Sequence, residues 1–114
     1  MREQILDLRR IQDEVRAWHN ATFGDRSRED WPMICLGSEV GELMHHWLKR
    51  AQGIRGTYDE HTAAIGDAIG DILIALIATA DDMGFDVESC LRETWATVRQ
   101  RTRAGLTAPK EPPA

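Results

Sequence analysis

Four carboxylates in two short clusters are the residues of this 114-residue chain best suited to chemistry. Glu39 and Glu42 are three residues apart, and Asp67 and Asp71 are four apart. On an α-helix either spacing places both side chains on one face, about one turn apart. Asp71 also stands in the most apolar stretch of the chain, where an uncompensated carboxylate is costly to bury. Since like charges held together repel, the two pairs predict a bound cation if two packed helices bring them together.

The type of ligand indicates which cation to expect. Carboxylate oxygens suit hard divalent ions, so we expect Mg²⁺, with Mn²⁺ as an alternative. Mg²⁺ usually keeps several waters and takes phosphate oxygens from its substrate, which favours phosphate or pyrophosphate chemistry. A solvated acidic helix face that binds nothing stays open as an interpretation for either pair.

A rival metal chemistry is visible in the second helix. Glu42 and His45 form an E-x-x-H motif, and di-iron carboxylate bundles carry that motif on two different helices. This chain has one copy, because His19 and His61 have no acid three residues before them. We therefore favour the di-iron interpretation least and expect His45 and His46 on a partly exposed helix face beside the site.

Hydrophobic periodicity predicts the helices that must position these residues. The third predicted helix is apolar nearly all round in its second half, which is typical of the centre of a bundle or of a subunit interface. No alternating strand pattern occurs, so the predicted fold class is all-α and four-helix bundle-like. One helical domain over residues 1–104 precedes a tail over 105–114, which is rich in Pro and is expected to be disordered. The predicted helices are 2–22, 30–52 with Asp30 as N-cap, 57–83 with Thr57 and Glu60 as a capping box, and 86–103 with Asp86 as N-cap.

Composition narrows the class of protein. The chain is 42% hydrophobic and 29% charged with a formal net charge of −5, which is typical of a soluble globular protein and opposes non-specific nucleic-acid binding. The longest nearly uncharged run, 68–80, is too short to cross a bilayer, and the N-terminus has no signal-peptide pattern. We therefore expect a cytoplasmic protein without a membrane partner. Cys35 and Cys90 form no CxxC pair and are expected to be reduced core residues.

The segment 36–101 resembles the MazG-like nucleotide pyrophosphohydrolases, the all-α NTP pyrophosphatases. The resemblance implies a MazG-type helical bundle and Mg²⁺-dependent hydrolysis of a (d)NTP to the monophosphate and pyrophosphate, with the clearing of unwanted nucleotides as the usual role. It also implies a homodimer or homotetramer, which the apolar third helix favours independently. The matching motifs are EVGEL (39–43), LKRAQGIRG (48–56), DAIGDIL (67–73) and the closing helix after GFD (84–86).

The family pattern is E-x-x-E, a spacer, and E-x-x-D, with four acids that bind the metal. Glu39 and Glu42 match the first pair and Asp71 matches the final acid, so the resemblance implies that these three are catalytic. The third acid is replaced by Ala68, and Asp67 is the only nearby substitute. One residue rotates a helical side chain by about 100°, so Asp67 is expected to bind the metal directly, to bind through a water, or to orient another ligand. This departure raises a second hypothesis: a catalytically impaired nucleotide-binding or interaction module of the same fold.

Substrate binding requires cations for the phosphates and a flat surface for the base. Lys49, Arg50 and Arg55 follow the acidic pair and are the candidates for the triphosphate; their alternative is a solvated helix end that complements the helix dipole. Phe23 and Trp31 flank the loop between the first two helices and are the candidates for stacking on the base.

The remaining tryptophans are expected to serve the fold. Trp18 and Trp47 fall on the apolar stripes of the first and second helices, so we expect core packing for both. The same periodicity places Leu36, Val40 and Leu43 on the apolar stripe of the second helix.

Overall fold

The structure, a computed structural model, describes residues 5–24, 31–101 and 105–106. These residues form four α-helices and no strand, which confirms the all-α class. The MazG-type arrangement stays a prediction. The helices are α1 (Leu8–Phe23), α2 (Trp31–Gln52), α3 (Tyr58–Asp82) and α4 (Val87–Val98).

The first helix begins later than its apolar periodicity predicts. Asp7 is its N-cap, and the Asp7 carboxylate accepts a hydrogen bond of 3.2 Å from the backbone N–H of Arg10. An Asp side chain that satisfies this N–H favours a helix start over helix continuation, so residues 5–7 are not helical. Residues 1–4 and the predicted cap Asp30 lie outside the described residues.

The caps of α3 and α4 are confirmed. Thr57 Oγ1 accepts from the N–H of Glu60, and Glu60 Oε1 accepts from the N–H of Thr57. These bonds from Thr57 hold the pKa of Glu60 below its usual value. Asp86 caps α4 through the N–H of Ser89. α4 ends at Val98, five residues before the predicted end, and only residues 105 and 106 of the predicted tail are described.

Packing is dominated by an antiparallel hairpin of α2 and α3. α1 and α4 pack against each other and against α3, and neither helix forms comparable backbone contacts with α2. The buried cluster between α1 and α3 contains Val15, Ile77 and Ala78, with Ile11 and Val87 packed against it. This arrangement leaves the hairpin covered on one side only.

Several residues expected in the core are therefore at the surface. The exposed fraction is 58% for Trp47 and 52% for Trp18. Cys35 and Cys90 are unbridged, but Cys90 is exposed and Cys35 is only half-buried, so the expectation of two core cysteines is wrong. The physical reason is the same for all of these residues. Each helix carries apolar side chains on a wider face than its neighbouring helices cover.

The longest helix, α3, is also long and apolar enough to cross a membrane by length and composition alone. Core helices of soluble proteins pass the same test. Two carboxylates, Asp67 and Asp71, stand in the middle of this helix, and inside a membrane both would have to be compensated.

Candidate active site

Four acidic residues predicted as metal ligands meet in one cavity of about 200 Å³ between α2 and α3. We call it the acid cavity. Because α2 and α3 run antiparallel, the middle of one helix lies opposite the middle of the other, and both acidic pairs stand at that level. Both acidic pairs therefore line one cavity, and their role as metal ligands stays a prediction. The residues that line the acid cavity are Glu39, Glu42, His46, Ala64, Asp67, Ala68 and Asp71.

Among the described residues, no arginine or lysine pairs with the carboxylates of the acid cavity. Glu39 is half-buried, while the Glu42 side chain is 61% exposed and Asp67 and Asp71 are exposed. Glu39, Asp67 and Asp71 form no hydrogen bond or ion pair with any described residue. The expected cost of burying Asp71 does not arise, because the helix turns this side chain to the cavity and its apolar neighbours elsewhere.

The side chains as they stand do not form a closed metal centre. Among the described residues, no three His, Cys, Asp or Glu side chains converge tightly enough to hold an ion. Exposed carboxylates on long side chains can change rotamer at little cost, so the acid cavity offers donors without a preformed cage. Its donor set fits a hard divalent ion that keeps several waters.

The position that departs from the family pattern belongs to the same cavity. Ala68 is buried and forms part of the cavity wall, while Asp67 lines the cavity from the next position on the helix. The offset of about 100° therefore leaves Asp67 within the acid cavity. A carboxylate at position 68 would stand on the inner wall of the cavity, where this chain has alanine.

The sequence predicts His46 beside these acids, but it does not predict that His46 contacts a second histidine, His61. His46 Nε2 lies 3.7 Å from Glu42 Oε2, and His46 Nδ1 lies 3.3 Å from Nδ1 of His61. His61 is buried, and its Nε2 lies 2.9 Å from the carbonyl oxygen of Ile54. The i,i+4 spacing of Glu42 and His46 was a visible signal, but no sequence pattern pointed to His61. His45, the histidine of the E-x-x-H motif, is exposed and does not line the acid cavity.

A second cavity, of about 140 Å³, adjoins the first and is lined by aromatic rings; we call it the aromatic cavity. Phe23 and Trp31, the predicted base-stacking residues, both line it, with ring centroids 6.3 Å apart. His19 lies in the same wall. Glu39 and Asp71 line both cavities, so a flat apolar surface lies directly beside the carboxylates.

The predicted phosphate-binding cations lie elsewhere, near the loop end of the hairpin. The Arg50 guanidinium lies 4.6 Å from the ring centroid of Trp47 and 4.8 Å from that of Tyr58. Lys49 donates a hydrogen bond within its own helix. Arg55 is exposed in the connecting loop and has a positive φ of 59°. None of the three lines either cavity.

A larger cavity, of about 440 Å³, lies where α1 meets the end of α3 and the loop that leads into α4; we call this region the α1–α4 junction, and its charges are paired. The Arg16 side chain donates to Asp81 at 2.6 Å, and this bond is the main reason that the pKa of Asp81 is lowered. Arg9 donates to Asp86, whose pKa is lowered mainly by hydrogen bonds from Ser89. These mutually satisfied groups indicate a structural joint between helices.

No comparison with known proteins identifies this site, so its geometry is interpreted from its own residues. The acid cavity supplies carboxylates without cations, and the aromatic cavity supplies a stacking surface beside them. No protein family, curated protein or solved structure matches the chain.

Proposed function

We propose that the chain is a Mg²⁺-dependent nucleotide pyrophosphohydrolase, with Mn²⁺ as an alternative ion, that converts a (d)NTP and water to a (d)NMP and pyrophosphate. The observation that carries the proposal is that the acid cavity and the aromatic cavity share Glu39 and Asp71. A site for metal-bound phosphate thereby adjoins a site for a base, as a nucleoside triphosphate requires. The resemblance to the MazG-like enzymes supports the same conclusion.

In this proposal the acids hold the ion and position the water. Glu39, Glu42 and Asp71 bind the metal, and Asp67 binds it directly or through a water. The bound ion supplies stabilisation of the charge that develops on the phosphates. Glu39 or Glu42 also orients the attacking water, since both oxygens of a carboxylate accept hydrogen bonds.

Substrate recognition is divided between rings and cations. Phe23 and Trp31 each leave more than a third of their surface exposed, which gives a base a face to stack on. Lys49, Arg50 and Arg55 remain the proposed partners of the triphosphate. None of the three lines either cavity.

The test is a screen of standard and modified (d)NTPs for pyrophosphate release, with Mg²⁺ and with Mn²⁺. We expect turnover of at least one nucleotide by the parent chain and its loss in Glu39→Gln and Asp71→Asn. Glu93→Gln, which changes an exposed carboxylate on α4, is the matched control and should behave like the parent. Variants at Glu39 and Asp71 that fold and hydrolyse like the parent would show that the site assignment is wrong.

A second candidate function is favoured by the buried alanine on the cavity wall. With Ala68 in place of an acid, the chain would bind a nucleotide without hydrolysing it. Calorimetry would then show nucleotide binding with no pyrophosphate released over hours. Because position 68 faces the acid cavity, Ala68→Glu adds a carboxylate there, and a large gain in turnover would favour the impaired module over the enzyme.

We also propose that the chain forms a homodimer or homotetramer through the outer face of the hairpin. The four charged residues of the described α2 all lie away from this face, and large apolar side chains on it are exposed, with 66% exposure for Met44. Such an uncharged face is costly in water unless another surface covers it. The outer face comprises Ile34, Gly37, Gly41, Met44 and Leu48 of α2 and Gly66, Ile69, Gly70 and Leu73 of α3.

The glycines of the outer face support a second copy as the covering surface. An added Cβ at Gly37, Gly41, Gly66 or Gly70 would meet nothing within 4 Å, so no contact within the chain requires glycine there. Glycine inside a helix costs about 1 kcal/mol relative to alanine, and a closely approaching helix would explain all four. Light scattering at micromolar concentration should give a dimeric or tetrameric mass for the parent and for Ala17→Lys on α1, and a monomeric mass for Leu48→Lys. A monomeric parent would contradict the proposal.

A further inference from the structure

The orientation of His46 toward the acid cavity adds a nitrogen donor to a site that the sequence described as oxygen-only. We propose that Nε2 of His46 is a ligand of the ion in the acid cavity, so that the site prefers a first-row transition ion such as Mn²⁺ over Mg²⁺. This inference rests on the metal site of the proposed function but not on its hydrolytic reaction.

The hydrogen bonds of His61 determine which nitrogen of His46 faces the cavity. The carbonyl oxygen of Ile54 can only accept, so Nε2 of His61 donates across their 2.9 Å separation. A neutral His61 ring then accepts at Nδ1, and His46 Nδ1 donates to it across 3.3 Å. The Nε2 of a neutral His46 is left without a proton, on the side of the cavity. A metal-bound histidine usually donates its other ring N–H in this way.

The distance between His46 and Glu42 suits two ligands of one ion. With metal–ligand bonds of about 2.1 Å, adjacent donors lie about 3.0 Å apart and opposite donors about 4.2 Å apart. The 3.7 Å between His46 Nε2 and Glu42 Oε2 falls between these limits. Both residues are on α2, one turn apart, so a shared ion requires side-chain adjustment but no movement of the helix.

A simple ion pair between Glu42 and His46 would not account for the second histidine. His61 is 5% exposed, and its imidazole is enclosed by the loop between α2 and α3. Gly56 in that loop has a φ of +138°, and a Cβ there would lie 3.1 Å from His61 Nε2. A buried imidazole with both nitrogens engaged, held by a closely fitted loop, fixes the orientation of His46 more tightly than a surface ion pair requires.

The chemical consequence is a change in metal preference. Imidazole nitrogen suits first-row transition ions, whereas Mg²⁺ prefers oxygen donors alone. Glu39, Asp67 and Asp71 line the same cavity and would complete a mixed nitrogen and oxygen ligand set. The cavity should therefore bind Mn²⁺ more tightly than the four carboxylates alone would.

The test is Mn²⁺ binding to the full chain without nucleotide, followed by pulsed electron paramagnetic resonance. We expect a ¹⁴N coupling to the bound Mn²⁺ in the parent, its loss in His46→Gln, and its retention in His45→Gln, the matched control on the adjacent exposed position. Mn²⁺ affinity, measured by titration, should fall about tenfold in His46→Gln and in His61→Asn, while Mg²⁺ affinity stays within about twofold. Loss of the coupling in His46→Gln would show that the coupled nitrogen belongs to His46 and not to His19, which lines the neighbouring aromatic cavity.

Three outcomes would overturn the inference: bound Mn²⁺ without a ¹⁴N coupling in the parent, a coupling that survives in His46→Gln, or Mg²⁺ affinity that falls as much as Mn²⁺ affinity. The first of these needs no variant, so it decides the matter even if His46→Gln fails to fold. A ¹⁴N coupling without pyrophosphate release would contradict the hydrolase and leave the ligand assignment standing. Pyrophosphate release without a ¹⁴N coupling would contradict the ligand assignment and leave the hydrolase standing.

Discussion

The α1–α4 junction and the α2–α3 hairpin use their charged residues in opposite ways. At the junction Asp81 accepts hydrogen bonds from Arg16 and from Gln12, and Arg9 pairs with Asp86. In the hairpin four carboxylates line one cavity without an arginine or lysine in its wall. The cavity at the junction is larger than the acid cavity, yet its polar groups already form hydrogen bonds and ion pairs with each other.

The difference separates charged groups that hold helices together from carboxylates that have no arginine or lysine partner among the described residues. Paired carboxylates gain from their partners, and their pKa values are lowered accordingly. Clustered carboxylates repel each other, so the acid cavity contributes no comparable gain to folding, which is why we propose a function for it. Cavity size alone would have selected the junction instead of the acid cavity.

The largest expected effect comes from removing a shared carboxylate. Asp71→Asn should lower kcat/KM for pyrophosphate release by about 100-fold or more, because a metal ligand that contacts both cavities is lost. Steady-state kinetics with circular dichroism as a fold check measures it. The melting temperature should stay within a few degrees of the parent, since Asp71 has no described partner. A large loss of stability would mean that Asp71 is structural.

Breaking the α1–α4 junction should lower stability with little effect on pyrophosphate release. Asp81→Asn is expected to lower the free energy of unfolding by about 1–3 kcal/mol, since Arg16 loses its charged partner and must share the one remaining acceptor oxygen with Gln12. Urea unfolding followed at 222 nm measures the change. Asp13→Asn removes the exposed partner of the same arginine and should cost less than about 1 kcal/mol. Equal costs for the two variants would show that the junction is no more than a surface ion pair.

A single glycine substitution tests whether a second copy covers the outer face of the hairpin, because the sign of its small effect differs between the two cases. In an isolated chain Gly41→Ala should stabilise α2 by up to about 1 kcal/mol, because glycine is the poorer helix former and an added Cβ meets nothing. If a second copy packs closely there, the same change weakens assembly. Sedimentation and unfolding, measured at two protein concentrations, distinguish these results. Ala17→Gly on the exposed surface of α1 measures the effect of helix propensity alone.

The smallest expected effect is a dependence of stability on acid pH. Since the pKa of Asp81 is lowered in the folded state, its contribution is present above the ordinary carboxyl pKa of about 3.9 and is lost as pH falls through the lowered value. Thermal unfolding between pH 2 and pH 6 should show this loss, and Arg16→Met should reduce it because the main cause of the shift is removed. An unchanged slope in Arg16→Met would contradict this role for the pair.

Local interactions made much of the molecule predictable from its sequence. The capping box of Thr57 and Glu60 and the Asp86 cap depend on residues three apart, so they can be identified without tertiary structure. The same holds for the helical faces that carry Glu39 with Glu42 and Asp67 with Asp71. The apolar repeat extends before Asp7 and therefore predicts too early a start for α1, because periodicity does not show that Asp7 caps the helix.

Only the tertiary structure decided which surfaces these faces meet. The antiparallel hairpin placed the two acidic pairs in one cavity, turned His46 toward it and His45 away, and buried His61 fifteen residues from His46. It also left Trp47 exposed, although its periodicity is that of a core residue. Periodicity reports that a face is apolar, but the covering element, within the chain or in a second copy, depends on helix packing that spacing along the sequence does not contain.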